Sequence, residues 1–253
     1  MNNEVKIISF ANHKGGVGKT TTTASVGSIL AGQGKRVLVI DLDAQANLTA
    51  SLLHGEAEVS IYNTLVGGAP LPMIPICENL HLVPASLSLA MVDLELASAM
   101  ARERILAEAI EEVKDNYDYI LIDCPPSLGL LTLNAFTASN EIIIPLVAEV
   151  LPFKGLTMIN NFIDMVRKRL NPKVHVTGIL ITRWENTNLS RQIEEGMRAQ
   201  LGDLVFQTKI RKNVTIAEAP LESKNIVEYA PKSNGAKDYK AFTEELKQKF
   251  GEK

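Results

Sequence analysis

An apolar run, Val5–Ala11, stops at a glycine-rich loop, and a segment of helical period, Lys19–Ala31, begins where the loop ends. A chain that turns through glycines from a strand into a helix leaves the first N–H groups of that helix without partners and aimed at one point. The loop reads His13-Lys14-Gly15-Gly16-Val17-Gly18-Lys19-Thr20. Its last three residues match the end of the phosphate-binding pattern G-x-x-x-x-G-K-[ST]. In that pattern N–H groups cradle the phosphates, the lysine reaches the β- and γ-phosphates, and the hydroxyl holds magnesium. His13 stands where the first glycine belongs, while Gly15 and Gly16 supply the flexible backbone and Lys14 adds a second lysine. Candidate nucleotide contacts are Lys14, Gly15, Gly16, Val17, Gly18, Lys19, Thr20 and Thr21, with ATP and Mg2+ as the expected ligands.

The rest of the chain alternates strand and helix patterns. Arg36–Asp43, a short His81–Pro84, Tyr117–Cys124, Glu141–Ala148, Val174–Thr182 and Val205–Ile210 read as strands. Helical period covers Asp93–Lys114, Leu130–Ser139, Gly155–Leu170, Leu189–Leu201 and Gly235–Phe250. Gly32 and Gly34 stop the first helix, and Ser60–Pro75 is turn-rich and expected to be irregular. Such alternation requires a mostly parallel sheet with right-handed crossovers. The expected fold is α/β: a single P-loop domain over residues 1–253, its mostly parallel twisted sheet flanked by helices on both faces. Aromatics make up only 5% of residues, which suits buried parallel strands of Val, Ile and Leu better than a β-sandwich.

Three carboxylates fall at strand ends. Asp41 and Asp43 are two residues apart and share one face, directed at the crevice beyond the strands. Asp123 follows the apolar Tyr119–Ile122, where a carboxylate is costly without a cation or donors. It suits magnesium held through water, with Thr20 as the direct ligand. His13, His54, His81 and His175 form no cluster. Cys77 and Cys124 lack metal-ligand spacing, and Cys124 reads as a buried free thiol, so a reducing cytoplasm is expected. The polar Met1–Lys6 lacks a signal-peptide core, and no apolar stretch reaches the roughly 20 residues of a membrane span.

With Lys14, the loop K-G-G-x-G-K-[ST] resembles the deviant Walker A class, which includes ParA, MinD and the nitrogenase iron protein. In that class the extra lysine crosses a nucleotide-sandwich dimer to the partner's phosphates. The resemblance thus implies a homodimer when ATP is bound, with Lys14 neutralising charge on the γ-phosphoryl group in trans and Lys19 in cis. VLVIDLDAQ resembles the D-x-D-P-Q stretch, with Ala44 for proline. By that match Asp43 orients or activates the attacking water and Asp41 sits near the magnesium shell. Asp123 with Pro125-Pro126 resembles the D-x-P-P stretch of the ParA family. LTLNA at 131–135, GILIT at 178–182 and KNVTIAEAP at 212–220 extend the likeness to ParA/Soj-type partition ATPases over nearly the whole chain. Asn213 is carried over as an adenine contact, although Arg211 replaces the proline of the family's Pro-Arg-Asn-Val.

Charge is uneven. Residues 1–150 carry 8 basic and 17 acidic residues, a net −9, and residues 151–253 carry 18 and 12, a net +6. A basic half beneath an acidic total can form a local anion-binding face. Arg191 and Arg198, seven apart on an expected helix, share a face; Lys209, Arg211, Lys212 and Lys224 follow as further DNA-contact candidates. The resemblance implies an ATP-dependent dimerising switch that binds DNA without sequence preference on the nucleoid. It would drive plasmid or chromosome partition, with slow hydrolysis stimulated by a ParB-like centromere-binding protein. No arginine stands beside the loop in sequence, which agrees with slow turnover. Sibling readings are a ParA-like ATPase that positions a protein cargo and a MinD-like membrane-recruited regulator. Against the latter, Phe242, Leu246 and Phe250 in the tail Tyr239–Lys253 read as a core-packing stripe. With the loop at residue 13, no room is left ahead of it for a helix-turn-helix domain, so operator-specific repression is not expected.

Overall fold

The structure, a computed structural model, describes residues 4–148 and 152–252; Met1–Asn3 of the polar N-terminal stretch and Lys253 of the tail lie outside them. The first half comprises β1 (Lys6–Phe10), α1 (Lys19–Gly32), β2 (Val37–Asp41), α2 (Asn47–Leu52), α3 (Ile61–Leu65), β3 (Ile74–Cys77), β4 (Leu80–Val83), α4 (Val92–Glu95), α5 (Ile105–Glu111) and β5 (Tyr119–Asp123). Next come α6 (Leu130–Ala138), β6 (Glu141–Val147), α7 (Pro152–Arg169), β7 (His175–Trp184), α8 (Asn188–Leu201) and β8 (Val205–Arg211). The chain ends with α9 (Val214–Glu218), α10 (Ile226–Tyr229) and α11 (Asn234–Lys249).

The described strands form one sheet in the order β3-β4-β2-β5-β1-β6-β7-β8. Every neighbouring pair is parallel except the terminal β3–β4 pair. β1 lies between β5 and β6, so its glycine loop leaves from the middle of the carboxyl edge, where open α/β sheets receive ligands. Strands β2 and β5 are buried along their whole length, which explains their unbroken apolar sequence. Successive residues feed opposite faces. Ile120 and Ile122 pack with residues of α5, α6 and α7, whereas Tyr119 and Leu121 pack with α1 and α11. Helices therefore cover both faces, as the alternation predicts.

Two stretches differ from the sequence reading. The helical period of 93–114 is broken: only α4 and α5 are helical, and Ala101 between them takes a left-handed backbone (φ 51°). Tertiary bonds overrule the pattern there. Asn134 of α6 accepts from Leu106 N and donates to Arg102 O, and the Arg102 guanidinium caps the carbonyls of Leu96 and Ala97. The supposedly irregular 60–75 contains α3, closed by a Ser60–Asn63 capping box, and the start of β3. Pro75 fits β3 because an edge strand has one side without a ladder. Short α2, α9 and α10 offer too few residues for a period to register.

Helix α1 approaches the sheet closely because Gly27 has no side chain; a Cβ there would lie 2.8 Å from Val39 Cγ1. Gly27→Val should therefore overpack this face and cost about 1–3 kcal/mol. A fall in the thermal midpoint of roughly 2–4 °C per kcal/mol, measured by calorimetry, checks this.

Candidate functional site

Two glycines shape the loop. Gly16 (φ 70°) and Gly18 (φ 87°) are left-handed, and Gly18 is the N-cap of α1, conformations that a Cβ disfavours. Neighbouring strands hold the loop in place. From its start, Asn12 donates to Pro145 O on β6 (2.7 Å) and accepts from Lys14 N (3.0 Å). From β7, Thr182 Oγ1 donates to Val17 O (2.8 Å), and the Arg183 guanidinium lies 3.4 Å from Gly16 O. Arg183 adopts φ 50°, a left-handed backbone rare outside glycine, at the point where its side chain meets the loop. His13, in the place of the first glycine, lays its ring against Gly155 of α7 so closely that no Cβ fits there.

Lys19 is 6% exposed, and its ammonium donates to Lys14 O at 3.1 Å. Burial pushes its pKa down, opposed by the charge of Asp123. Lys14 itself is exposed.

Beneath the loop lie two acids with different surroundings. Asp41 and Asp123 are register partners at the ends of β2 and β5, and both are fully buried. Asp41 accepts from Thr49 N (2.9 Å), Thr49 Oγ1 (2.8 Å) and Asp43 N (3.1 Å). Burial pushes its pKa up to about 6 despite those donors. Asp41, expected near the magnesium shell, engages both its oxygens in fixing α2 and the turn that carries Asp43. Neither oxygen of Asp123 makes a hydrogen bond of good geometry among the described residues, and the Thr20 hydroxyl is the donor beside it. Burial first, and the charge of Asp41 second, hold it well above the usual carboxylate range, only partly offset by the Thr20 hydroxyl and Lys19. An orphaned buried carboxylate beside a hydroxyl suits a hydrated divalent cation.

Asp43 is half-buried, and its Oδ1 accepts from Gln45 N (3.0 Å) while its carbonyl accepts from Ala46 N (2.9 Å). These bonds stiffen the turn in which Ala44 replaces the family's proline. A cleft of about 900 Å³ brings together Gly15, Gly16, Gly18, Lys19, Thr20, Thr21, Asp43, Lys212 and Asn213. Val17 and Lys14 line a smaller adjoining cavity with His13 and Gly155. Asn213 Oδ1 caps α9 through Thr215 N (3.0 Å) and Thr215 Oγ1 (2.8 Å), so what it offers a base is its amide Nδ2.

The basic candidates do not form one free patch. Arg191 is exposed and bonds Asn186, but Arg198 turns onto β8, bonding Glu194 and the carbonyls of Val205 and Phe206. Both stand on α8 seven residues apart, as expected, but bonds to β8 draw the Arg198 guanidinium away from solvent. Lys209 pairs with Glu194 (2.6 Å) and lies over the Trp184 ring, Arg211 pairs with Asp238, and Lys212 with Glu185 (2.9 Å). Among the described residues Arg191 and the half-buried Lys224 have no acidic partner.

Sequence reasoning missed Asn12, Thr182, Arg183, Asp238 and Tyr239. Thr182 and Arg183 come from β7 and Asp238 and Tyr239 from α11, all distant from the loop in sequence, while Asn12 directly precedes the loop and carries no motif residue type. Cys124 is a buried free thiol as expected, its pKa pushed up to about 12 by burial. Among the described residues no group of His, Cys, Asp and Glu forms a metal cluster, and no helix is long and apolar enough to cross a membrane.

A strand, a left-handed glycine loop and a helix N-terminus, with acids at the ends of the neighbouring strands, define a P-loop nucleotide-binding protein. The sequence matches the AAA domain family over residues 5–176. Sporulation initiation inhibitor protein Soj of Bacillus subtilis is 43% identical, over 95% of this chain and 98% of its own. Chromosome partitioning protein ParA of Caulobacter vibrioides is 37% identical, over 96% and 94%. Cobyrinic acid a,c-diamide synthase from Mycobacterium smegmatis, solved with bound ADP and magnesium, superposes with a TM-score of 0.85 at 34% identity, covering 98% of this chain and 96% of that one. The chain belongs to the Soj/ParA family of P-loop partition ATPases.

Removing the orphaned charge should stabilise the protein without ligand. Where the carboxylate is ionised, Asp123→Asn is expected to raise stability by roughly 1–3 kcal/mol, because it removes a buried charge repelled by Asp41 while the side chain stays polar. Denaturant unfolding with and without MgATP measures this, and the same change should abolish the magnesium-dependent part of nucleotide affinity.

Proposed function

We propose that the protein is an ATP-driven switch for DNA partition. ATP with magnesium closes a homodimer, the dimer holds DNA without sequence preference, and slow hydrolysis stimulated by a ParB-like centromere-binding protein releases it. One observation carries the nucleotide chemistry: a single cleft joins the glycine loop, Asp43 and Asn213 above the unpartnered Asp123. Names of relatives such as chromosome partitioning protein ParA support the partition role. Residues 1–253 act as one ATPase domain in this reading, since α11 packs with α1, the helix that carries the loop.

The division of labour follows from position. N–H groups of the loop and the start of α1 bind the phosphates, and Lys19, already desolvated, binds the β- and γ-phosphates. Thr20 and Asp123 would hold magnesium, which when bound spreads the charge developing on the phosphoryl oxygens. Asp43, exposed to the cleft and held by its own turn, orients the attacking water. Lys14, exposed at the edge of the loop, neutralises phosphate charge across the dimer, and Arg183 adds a cation from within the chain. Phe242 and Leu246 are fully buried and Phe250 packs partly buried against the same cluster, which supports a core-packing role for the tail's apolar stripe.

Asp43→Ala should abolish ATP turnover while leaving ATP binding and ATP-dependent dimerisation intact. Phosphate release measured beside equilibrium binding separates the two, and retained turnover would remove Asp43 from its role.

For the partition reading, binding to random-sequence duplex DNA with ATP, ADP or no nucleotide is decisive. Binding should need ATP and should weaken with salt at a log–log slope of about −0.9 per phosphate contacted. ATP-driven dimerisation with no DNA binding in any state would point to a protein cargo.

A further inference from the structure

The far wall of the cleft, residues 212–221, leaves the sheet at the end of β8 and consists of short helical turns. Lys212 N, donating to Trp184 O (3.0 Å), makes its main-chain bond to β7, so the residue just before Lys212 sets where the segment leaves the strand. That residue is Arg211, where the family stretch has proline. Proline fixes φ and has no N–H; arginine fixes nothing by itself.

In this chain Asp238 of α11 fixes Arg211 instead. Asp238 Oδ2 accepts the main-chain N–H of Arg211 (3.0 Å) and its Nε (2.9 Å), while Oδ1 accepts Nη2 (2.5 Å). Asp238 is 8% exposed, so the forked pair is shielded on its acidic side, and such bidentate bonds are geometrically restrictive. The next residue, Tyr239, is fully buried at the cleft, and its hydroxyl lies 3.3 Å from Thr22 Oγ1 on α1. Two consecutive residues of α11 thus tie down both ends of the cleft: Asp238 the wall that carries Asn213, and Tyr239 the helix that carries the phosphate loop.

We propose that Asp238 is a positioning residue for the nucleotide base, its clamp on Arg211 performing the task of the missing proline. This rests on the reading that Asn213 meets the base. β8 is an edge strand, and the Arg211 N–H faces Asp238 instead of a strand. A proline can therefore replace Arg211 without breaking the ladder.

The test measures affinity for ATP and for inorganic triphosphate, which has no base, both with magnesium. It uses the wild type, Asp238→Ala, Asp238→Asn, Asn213→Ala and the double variant Arg211→Pro/Asp238→Ala. Asp238→Ala should weaken ATP about tenfold, the scale of a lost hydrogen bond to a charged group, with triphosphate affinity unchanged. Asp238→Asn should fall between, and the double variant should recover most of the ATP affinity. Equal loss for both ligands, unchanged ATP affinity in Asp238→Ala, or no recovery in the double variant would overturn the clamp. If Asn213→Ala discriminates ATP from triphosphate and Asp238→Ala does not, the clamp fails alone. If Asn213→Ala weakens neither ligand, the base-loop reading beneath it fails.

Discussion

Two carboxylates, each cut off from water, sit side by side at the ends of β2 and β5, and the site is organised around how differently they are satisfied. Asp41 is surrounded by donors from Thr49 and from the Asp43 backbone. Asp123 is not, and faces Lys19, whose own charge burial opposes. A buried ion left partly compensated is expensive, and a protein retains one where a ligand completes it. The parallel register sets this up: β5 pairs with β2 on one side and β1 on the other, so Asp123 is opposite both Asp41 and Phe10. Shifting β5 by one residue would turn Asp123 to the opposite face of the sheet, away from its present neighbours.

Asp41 also makes the turn that carries Asp43 depend on the sheet. Its bonds reach Asp43 N at the turn and Thr49 in α2, and Thr49 Oγ1 in turn accepts from Ala85 N after β4. The turn that presents Asp43 is thus joined through one carboxylate to two strands. A change of charge at Asp123, next to Asp41, alters the field on this network directly.

Legibility in the sequence followed range of interaction. The loop, α1, and the acids at strand ends were readable because each signature lies within one continuous segment. His13 was readable only as a deviation; that its ring takes the space over Gly155, far along the chain, needs the folded packing. Arg183 gave no signal at all, since its place at the loop comes from a left-handed residue within β7, next to its last residue, Trp184. The period of 93–114 misled because propensity is weak against Asn134 and Arg102, which supply tertiary partners to backbone groups that a helix would otherwise satisfy.

Charge was the feature in which composition and structure diverged most. The excess of basic residues in 151–253 is real, yet Arg198, Lys209, Arg211 and Lys212 each pair with an acid of the same half of the chain. A DNA phosphate approaching Arg211 must compete with a shielded, bidentate carboxylate, whereas one approaching Arg191 competes only with Asn186. Surface pairs such as Lys212–Glu185 cost little to exchange; the Arg211–Asp238 clamp is costly to open because it would leave a carboxylate buried. Net charge therefore overstates the free cations of a single copy. Of the six basic candidates only Arg191 and Lys224 lack an acidic partner among the described residues, so one copy presents two free cations from that set where the count of basic residues suggests six.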